Sequence, residues 1–421
     1  MESYQNWFGE GPEVSVLRML GLFDRPVEEK VLATLREPPA IQGLTESLTD
    51  LSPTEWRTVL ARLRRTRLLA GEDPHNRGYV DTHPLVREYF GEQLRTQRTN
   101  AWKESNRRLY YYYQTLAPQL PDTLREMEPL FLAAIFGCNA GLFRDALHEV
   151  YIPRIQRGNQ SFAANILGAR GALLSVLALF FEHGHCGSPL ARSSEKQSLS
   201  GEDQLFILMQ AGLYLTATQG LATGEGQICC AQAERLCHLL HRPVQLYSAL
   251  MGQWLYSLMT NKLATTMQIA KRVYSLAQEQ NDAALMIGAY SALVSTSYYS
   301  GDFASTRHYA MLGLELVRSE SLRPDIEEVI APQVSCLCYK AMSEWHFGEI
   351  DSCRVTIAHA ISLAKELNDM QGLVLAVYFT ACLAQLEDNP AEVERLASSF
   401  IELSTRRNVG TWLPHGGILR G

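Results

Sequence analysis

Residues 290–316 read YSALVSTSYYSGDFASTRHYAMLGLEL. The pair Gly301-Asp302 divides this stretch into two helical runs, the pattern of a helix hairpin with a tight turn. The arrangement recurs from Gln204 onward. Helix-to-helix turns fall at Asn261-Lys262, Gly301-Asp302, Gly348-Glu349 and Asp388-Asn389, spaced 40, 47 and 40 residues apart. Nine residues past the start of each turn stand Ala270, Ala310, Ile357 and Ala397, mostly small side chains that let two helices pack closely. A more divergent copy turns near Gly220. A single hairpin cannot bury its apolar face alone, so such units stack into a superhelix.

In detail the hairpin resembles the tetratricopeptide (TPR) pattern. It has an aromatic at Tyr290, Leu293 three residues on, an aromatic at Tyr298, the turn Gly301-Asp302-Phe303, and Gly313 where a small residue is usual. It departs at Val294 and Thr306, where Gly and Ala are common; the next copy has Ala341 and Cys353 there. TPR units are typically 34 residues, so the longer period implies longer helices or loops. The architecture places the first helices of successive hairpins along one concave surface suited to a peptide, a helix or another domain. Tyr256, Tyr290, Tyr298 and Trp345 lie on those first helices, as candidate partner contacts or as core.

Working outward, residues 14–23 form an apolar helix and Pro26 can open a second, ending before Pro38-Pro39. Ser52, Pro53 and Glu55 are a capping box with proline at the first helical position, and Trp56, Val59, Leu60 and Leu63 follow at helical spacing. A polar segment, residues 71–78, leads to Tyr79-Val80-Asp81, read as a hairpin or wing, and residues 85–94 form another helix. Three helices and a wing make a winged-helix module. Arg57, Arg62, Arg64, Arg65 and Arg67 lie on or just after the third helix, where winged helices contact DNA phosphates; Arg62, Arg64 and Arg65 are the nucleic-acid candidates. The competing reading is a solvated or docking face.

The runs LRMLGLFDRP, LARLRRTRLLA and THPLVREYFGEQLR resemble the winged-helix region of STAND-class NTPases. In that family a Met-His-Asp motif opens the last helix and its His senses the β-phosphate of bound ADP. Here the tripeptide is Thr82-His83-Pro84, so the resemblance implies phosphate sensing by His83 if an NTPase domain is supplied. The chain carries no Gly-x-x-x-x-Gly-Lys-Ser/Thr string. The tail SSFIELSTRRNVGTWLPHGGILRG is similar to TPR-like arrays behind bacterial STAND ATPases, including some linked to class III adenylate cyclases and some related to the maltose-regulon activator. Both ends are expected to be cut relative to that family, leaving an incomplete last repeat.

The remaining residues bound the function. The 421 residues are 46% hydrophobic and 20% charged, which excludes general disorder, and the net charge of -7 gives no global attraction to nucleic acid. Residues 57–108 carry a local basic surplus. No signal peptide or bilayer-length apolar run is present; residues 171–181 are read as a core helix. The nine cysteines fit reduced thiols in a cytoplasm. Tyr110, Tyr111, Tyr112 and Tyr113 point in all directions from one helix, so some pack and some are exposed. Residues 128–155 read as a hairpin broken near Asn139-Ala140-Gly141, and residues 162–181 as one helical block. His183, His185 and Cys186 lack a fourth ligand, so a solvated loop is expected rather than a metal site. His346 and His359 read as packing residues, and no nucleophile–base arrangement is recognisable.

The expectation is therefore an all-α chain: a winged-helix-like module at 1–97, first helix hairpins at 98–182, a loop at 183–202, and TPR-like repeats over 203–421. It would be a non-catalytic cytoplasmic regulator with no cofactor, metal or membrane contact. Its partners would be a protein or peptide in the groove and a separately encoded NTPase domain. The alternative is a DNA-binding transcription regulator with a TPR sensor.

Overall fold

The computed structural model describes residues 8–72, 78–191, 194–319, 331–406 and 417–418. It divides into two compact units, Met1–Ser200 and Gly201–Gly421.

The first unit opens with α1 (Pro12–Leu20), strand β1 (Val27–Glu28), α2 (Glu29–Arg36) and α3 (Pro53–Arg65). Strand β2 (Tyr79–Val80), α4 (Pro84–Gln97) and α5 (Thr99–Leu116) follow. One reading needs correction: Pro26 does not open a helix; the chain stays extended through β1 and α2 starts at Glu29. In the segment read as a hairpin or wing, Tyr79–Val80 pairs antiparallel with Val27–Glu28, and the Ala70 amide donates to the Asp81 carbonyl. The capping box at Ser52 forms as read, with Glu55 accepting from the Ser52 amide at 2.8 Å. Helices α1 and α4 cross where Gly21 and Gly91 meet backbone to backbone; a Cβ on Gly91 would stand 2.4 Å from the Gly21 carbonyl oxygen.

Next come α6 (Leu124–Ala140), the short α7 (Phe143–Asp145) and a π-helical continuation, Ala146–Gln156. Gly141, at φ +80°, makes the break expected there. Tyr110 and Tyr113 are buried and Tyr111 is exposed. The Arg154 guanidinium donates to four backbone carbonyls at and just past the end of α5, those of Gln114, Ala117, Pro118 and Gln119. Residues 162–181 are two helices, not one: α8 (Phe162–Asn165) and α9 (Arg170–Ala178) flank Gly168, whose φ of +66° no continuous helix allows.

Among the described residues the second unit has ten helices in chain order. They are α10 (Gly201–Gln219), α11 (Gly224–Leu240), α12 (Pro243–Met259), α13 (Leu263–Gln280) and α14 (Ala283–Tyr299). Then follow α15 (Phe303–Ser319), α16 (Pro332–His346), α17 (Ile350–Glu366), α18 (Met370–Leu386) and α19 (Pro390–Arg406). One turn geometry recurs. His241, Asn261, Asn281, Gly301, Gly348, Asn368 and Asp388 all have positive φ. In each case the next amide reaches back five residues, as Lys262 does to the Ser257 carbonyl and Asp302 to Ser297, both at 2.9 Å. This is the Schellman closure of a helix C-terminus. With Gly220, the positive-φ residues are 20 or 21 apart on either side of the segment 320–330. The period is thus 40 residues per hairpin; the 47-residue interval has its extra seven between α15 and α16.

Each helix packs on the next, and the first helices also touch one another: α10 on α12, α12 on α14, α14 on α16, α16 on α18. Ala270, Ala310 and Ala397 are fully buried, which is where the small residues were expected to serve close packing. The incomplete last repeat expected at residues 416–421 lies, save for 417–418, outside the described residues. Among the described residues no helix is long and apolar enough to cross a membrane.

Candidate functional site

The layer of first helices, α10, α12, α14, α16 and α18, is the continuous surface of the second unit. Its composition differs sharply from that of the second helices. Helices α12, α14 and α18 contain no Asp, Glu, Lys or Arg. Helix α16 contains Lys340 and Glu344, which pair with each other. Glu344 is nearly fully buried and also accepts from Ser352 at 2.8 Å, and these donors hold its carboxyl below the usual range despite burial. Only Glu202 and Asp203, at the start of α10, add charge. The second helices carry the ionic residues instead, such as Lys271 and Arg272 on α13, Asp351 and Arg354 on α17, and Glu392 and Arg395 on α19.

An aromatic seam crosses three first helices. The Tyr298 ring of α14 lies 5.4 Å from Tyr339 of α16 and 6.3 Å from Phe379 of α18, and Tyr339 and Phe379 are 5.0 Å apart. Burial, then the neighbouring Tyr299, push the Tyr298 hydroxyl up to about 12. Burial raises the Tyr339 hydroxyl well above the usual tyrosine range, and the Tyr299 ring lies 5.9 Å away. His346 stacks on Phe303 at 3.8 Å, and desolvation lowers its pKa.

Where first helices end, the seam reaches solvent. Met259, Tyr299, His346 and Leu386 are the last residues of α12, α14, α16 and α18. Met259, Tyr299 and Leu386 are 37%, 45% and 48% exposed, and His346 is exposed too. These four positions are equivalent in their hairpins, and three of them carry apolar or aromatic side chains.

The four tyrosine and tryptophan positions named from sequence separate here. Tyr298 belongs to the seam. Tyr290 lies between Tyr274 of α13 and Tyr309 of α15, 5.8 and 6.4 Å away, so it packs toward second helices. Tyr256 is half-buried with the Lys262 ammonium 5.1 Å from its ring, and Trp345 is half-buried against the core around Tyr339 and Phe379. Sequence reasoning missed Tyr299, Tyr339, Phe379 and the exposed helix ends. A count of charges helix by helix would have found the uncharged helices.

In the first unit, His83 caps α4: its Nδ1 accepts from the Leu85 amide at 3.3 Å, and the residue is exposed. Next to it an open cleft of about 320 Å³ is lined by Phe23, Pro84, Arg87, Glu88, Arg95 and Trp102, among others. Arg87 in that cleft is bound to Asp81 and the Asp24 carbonyl. Arg62 pairs with buried Glu13 at 2.9 Å and Arg64 with Glu72 at 2.8 Å, while Arg65 is exposed. Much of the basic surplus in residues 57–108 is similarly engaged, as in Arg95–Glu92, Arg98–Glu10 and Arg107–Glu104. Each cysteine is buried or half-buried, and burial pushes the Cys230 thiol up to about 11. Among the described residues no group of three His, Cys, Asp or Glu is placed to hold a metal ion.

No family model matches the chain, and no curated protein does. Similar solved structures include the apo form of RapI, at 9% identity and a TM-score of 0.39, over 53% of this chain and 83% of that one. Another is the STAND protein with a tetratricopeptide repeat sensor, PH0952, from Pyrococcus horikoshii. It has 15% identity and a TM-score of 0.39, over 99% of this chain. This chain spans 54% of that protein's length. The helix pairing and recurrent turns described above make the chain an all-α protein whose second unit is a TPR-like solenoid of helix hairpins.

Proposed function

We propose that this chain is a regulatory interaction protein whose repeat array captures a partner protein on the layer of first helices. The observation that carries this reading is the contrast between the layers. Three of the five first helices carry no Asp, Glu, Lys or Arg and end in exposed Met259, Tyr299 and Leu386, while most ionic residues lie on the second helices. Apolar side chains exposed at equivalent positions of successive hairpins suit a protein contact, since burying apolar surface releases about 25 cal/mol per Å².

The first unit is read as a winged-helix-like module that docks on an NTPase domain supplied by another chain. Helix order, the β1–β2 pairing and the position of His83 at the α4 N-terminus support this. On this reading His83 is the phosphate-sensing residue. The DNA-binding alternative draws less support, because Arg62 and Arg64 are held by carboxylates of the same unit.

The test is site-specific photo-crosslinking in cells. A photoreactive residue at Tyr299 should yield one discrete protein adduct that the same residue at Lys271, exposed on α13, does not. Equal labelling from both sites, or none from Tyr299, rejects the reading.

A further inference from the structure

The stretch of the first unit that leads into α10 is fastened in two different ways. Residues 180–191 are built in by backbone hydrogen bonds. The Glu182 amide donates to the Pro189 carbonyl and the Ala191 amide to the Phe180 carbonyl, both at 2.8 Å, around a bridge between Phe181 and Leu190. Cys186 inside this hairpin is buried. Residues 194–200 are held differently. The backbone bonds of their short 3-10 turn (Glu195–Gln197) are local, from the Gln197 amide to the Ser194 carbonyl at 2.9 Å and from Ser198 to Glu195 at 3.3 Å. Ser194, Glu195, Lys196, Ser198 and Ser200 are exposed, Gln197 is half-buried and Leu199 is buried.

Gln197 is the fastener. Helix α7 begins after Leu142, whose apolar side chain offers the first amides no acceptor. The Gln197 carboxamide, 52 residues on from Asp145, supplies one. Its Oε1 accepts from the Arg144 amide at 3.1 Å and from the Asp145 amide at 3.2 Å. Its Nε2 donates to Asp145 Oδ2 at 2.9 Å. Arg144 and Asp145 are the second and third residues of a helix that runs on through the π-helical segment to Gln156, the positions that an N-cap side chain ordinarily serves.

These bonds suit reversible closure. Arg144 is exposed and Asp145 half-buried, so water can replace Gln197 when the segment leaves, and the net cost of that exchange is small. A latch of so few bonds leaves the open form populated at about 0.1–10%. Opening changes the reach of the chain. Closed, it is fixed as far as Leu199, next but one to the start of α10. Open, residues 194–200 are free, and seven residues fully extended span up to about 25 Å.

We infer that residues 194–200 are a releasable strap, latched by Gln197 to the start of α7, whose opening lengthens the tether leading into the helix array. The strap stands apart from the partner reading above and survives its failure.

The test is made on the full chain. Trypsin cleaves after Lys196 when the strap is open, so the cleavage rate, followed by mass spectrometry and normalised to that of the urea-unfolded chain, reports the open population. Hydrogen exchange of the Arg144 and Asp145 amides reports the same opening from the other side of the latch. Gln197→Ala should raise both at least about tenfold and by matching factors, while the Val150 and Tyr151 amides of the π-helical segment change less than about twofold. Ser198→Ala, on the exposed side of the strap, should alter neither. In the unsubstituted chain, cleavage after Lys196 should be nearly independent of urea below the unfolding transition, the mark of local opening.

Cleavage of Gln197→Ala within about twofold of the parent overturns the inference. So does equal acceleration at Val150 and Tyr151, which makes Gln197 part of the fold and not a latch. Cleavage in the parent that rises with urea as steeply as global unfolding overturns it too, and that result is read even if the variant does not fold.

Discussion

Asp369 ties two consecutive first helices together. As the N-cap of α18, its Oδ1 accepts from the Gly372 amide at 2.9 Å. Its Oδ2 accepts from the amide of Ala331, the N-cap of α16, also at 2.9 Å. Asp369→Ala removes a helix cap, about 1 kcal/mol. It also removes a hydrogen bond to a charged group, about 1.5–3 kcal/mol. The sum is about 2–4 kcal/mol. Asp369→Asn keeps an acceptor for one amide only and should lose about half. Gly372→Ala should act through the same carboxylate, because a Cβ there would stand 2.1 Å from Asp369 Oδ2. Its loss should exceed the gain of up to about 1 kcal/mol in helix propensity. Native-state hydrogen exchange of the α16 amides measures the opening free energy of this pair. A change below about 0.5 kcal/mol for Asp369→Ala, or an Asn variant as stable as the parent, refutes the reasoning.

Other consequences can be measured on the same protein. Thr296→Val leaves the buried Trp254 indole N–H, now 2.9 Å from the Thr296 hydroxyl, without an acceptor and should cost about 1–3 kcal/mol in urea unfolding. Arg154→Lys cannot span four carbonyls with one ammonium and should destabilise the first unit by about 2–4 kcal/mol, read from its thermal transition. Gly91→Ala would gain stability on helix propensity alone, but the Gly21 carbonyl at 2.4 Å reverses the sign, for a net loss of about 1–3 kcal/mol by the same assay. His346 has a pKa lowered by desolvation, so the unfolded chain binds its proton more readily. Its contribution is complete above about pH 6.5 and falls as pH drops through the folded pKa. His346→Gln should remove that dependence in pH-resolved melts.

The turns at Gly301 and Gly348 were legible because glycine at a left-handed turn is a local signal. Those at Asn261 and Asp388 were read from the repeat spacing, whereas His241, Asn281 and Asn368, which close the second helices, were not, because only the Schellman bonds around them reveal their positive φ. The capping box at Ser52 is local and was read correctly. The partner of Tyr79–Val80 lies some fifty residues away, a distance no local pattern encodes. Gly168 was hidden within an apolar run that looks continuous as a helix. In the candidate site, helix assignment was available but facing direction was not: Tyr290 and Tyr298 sit on the same helix, yet one packs toward α13 and α15 and the other toward α16 and α18. The arginines around α3 read as a surplus because their carboxylate partners, Glu13 and Glu72, lie outside that helix.

Hydrogen-exchange footprinting of the chain with the partner captured at Tyr299 tests the central claim most directly. The account predicts slowed exchange at the C-terminal ends of α12, α14, α16 and α18, with α13 and α17 unchanged. Protection confined to the second helices, or to α3 in the first unit, would contradict it.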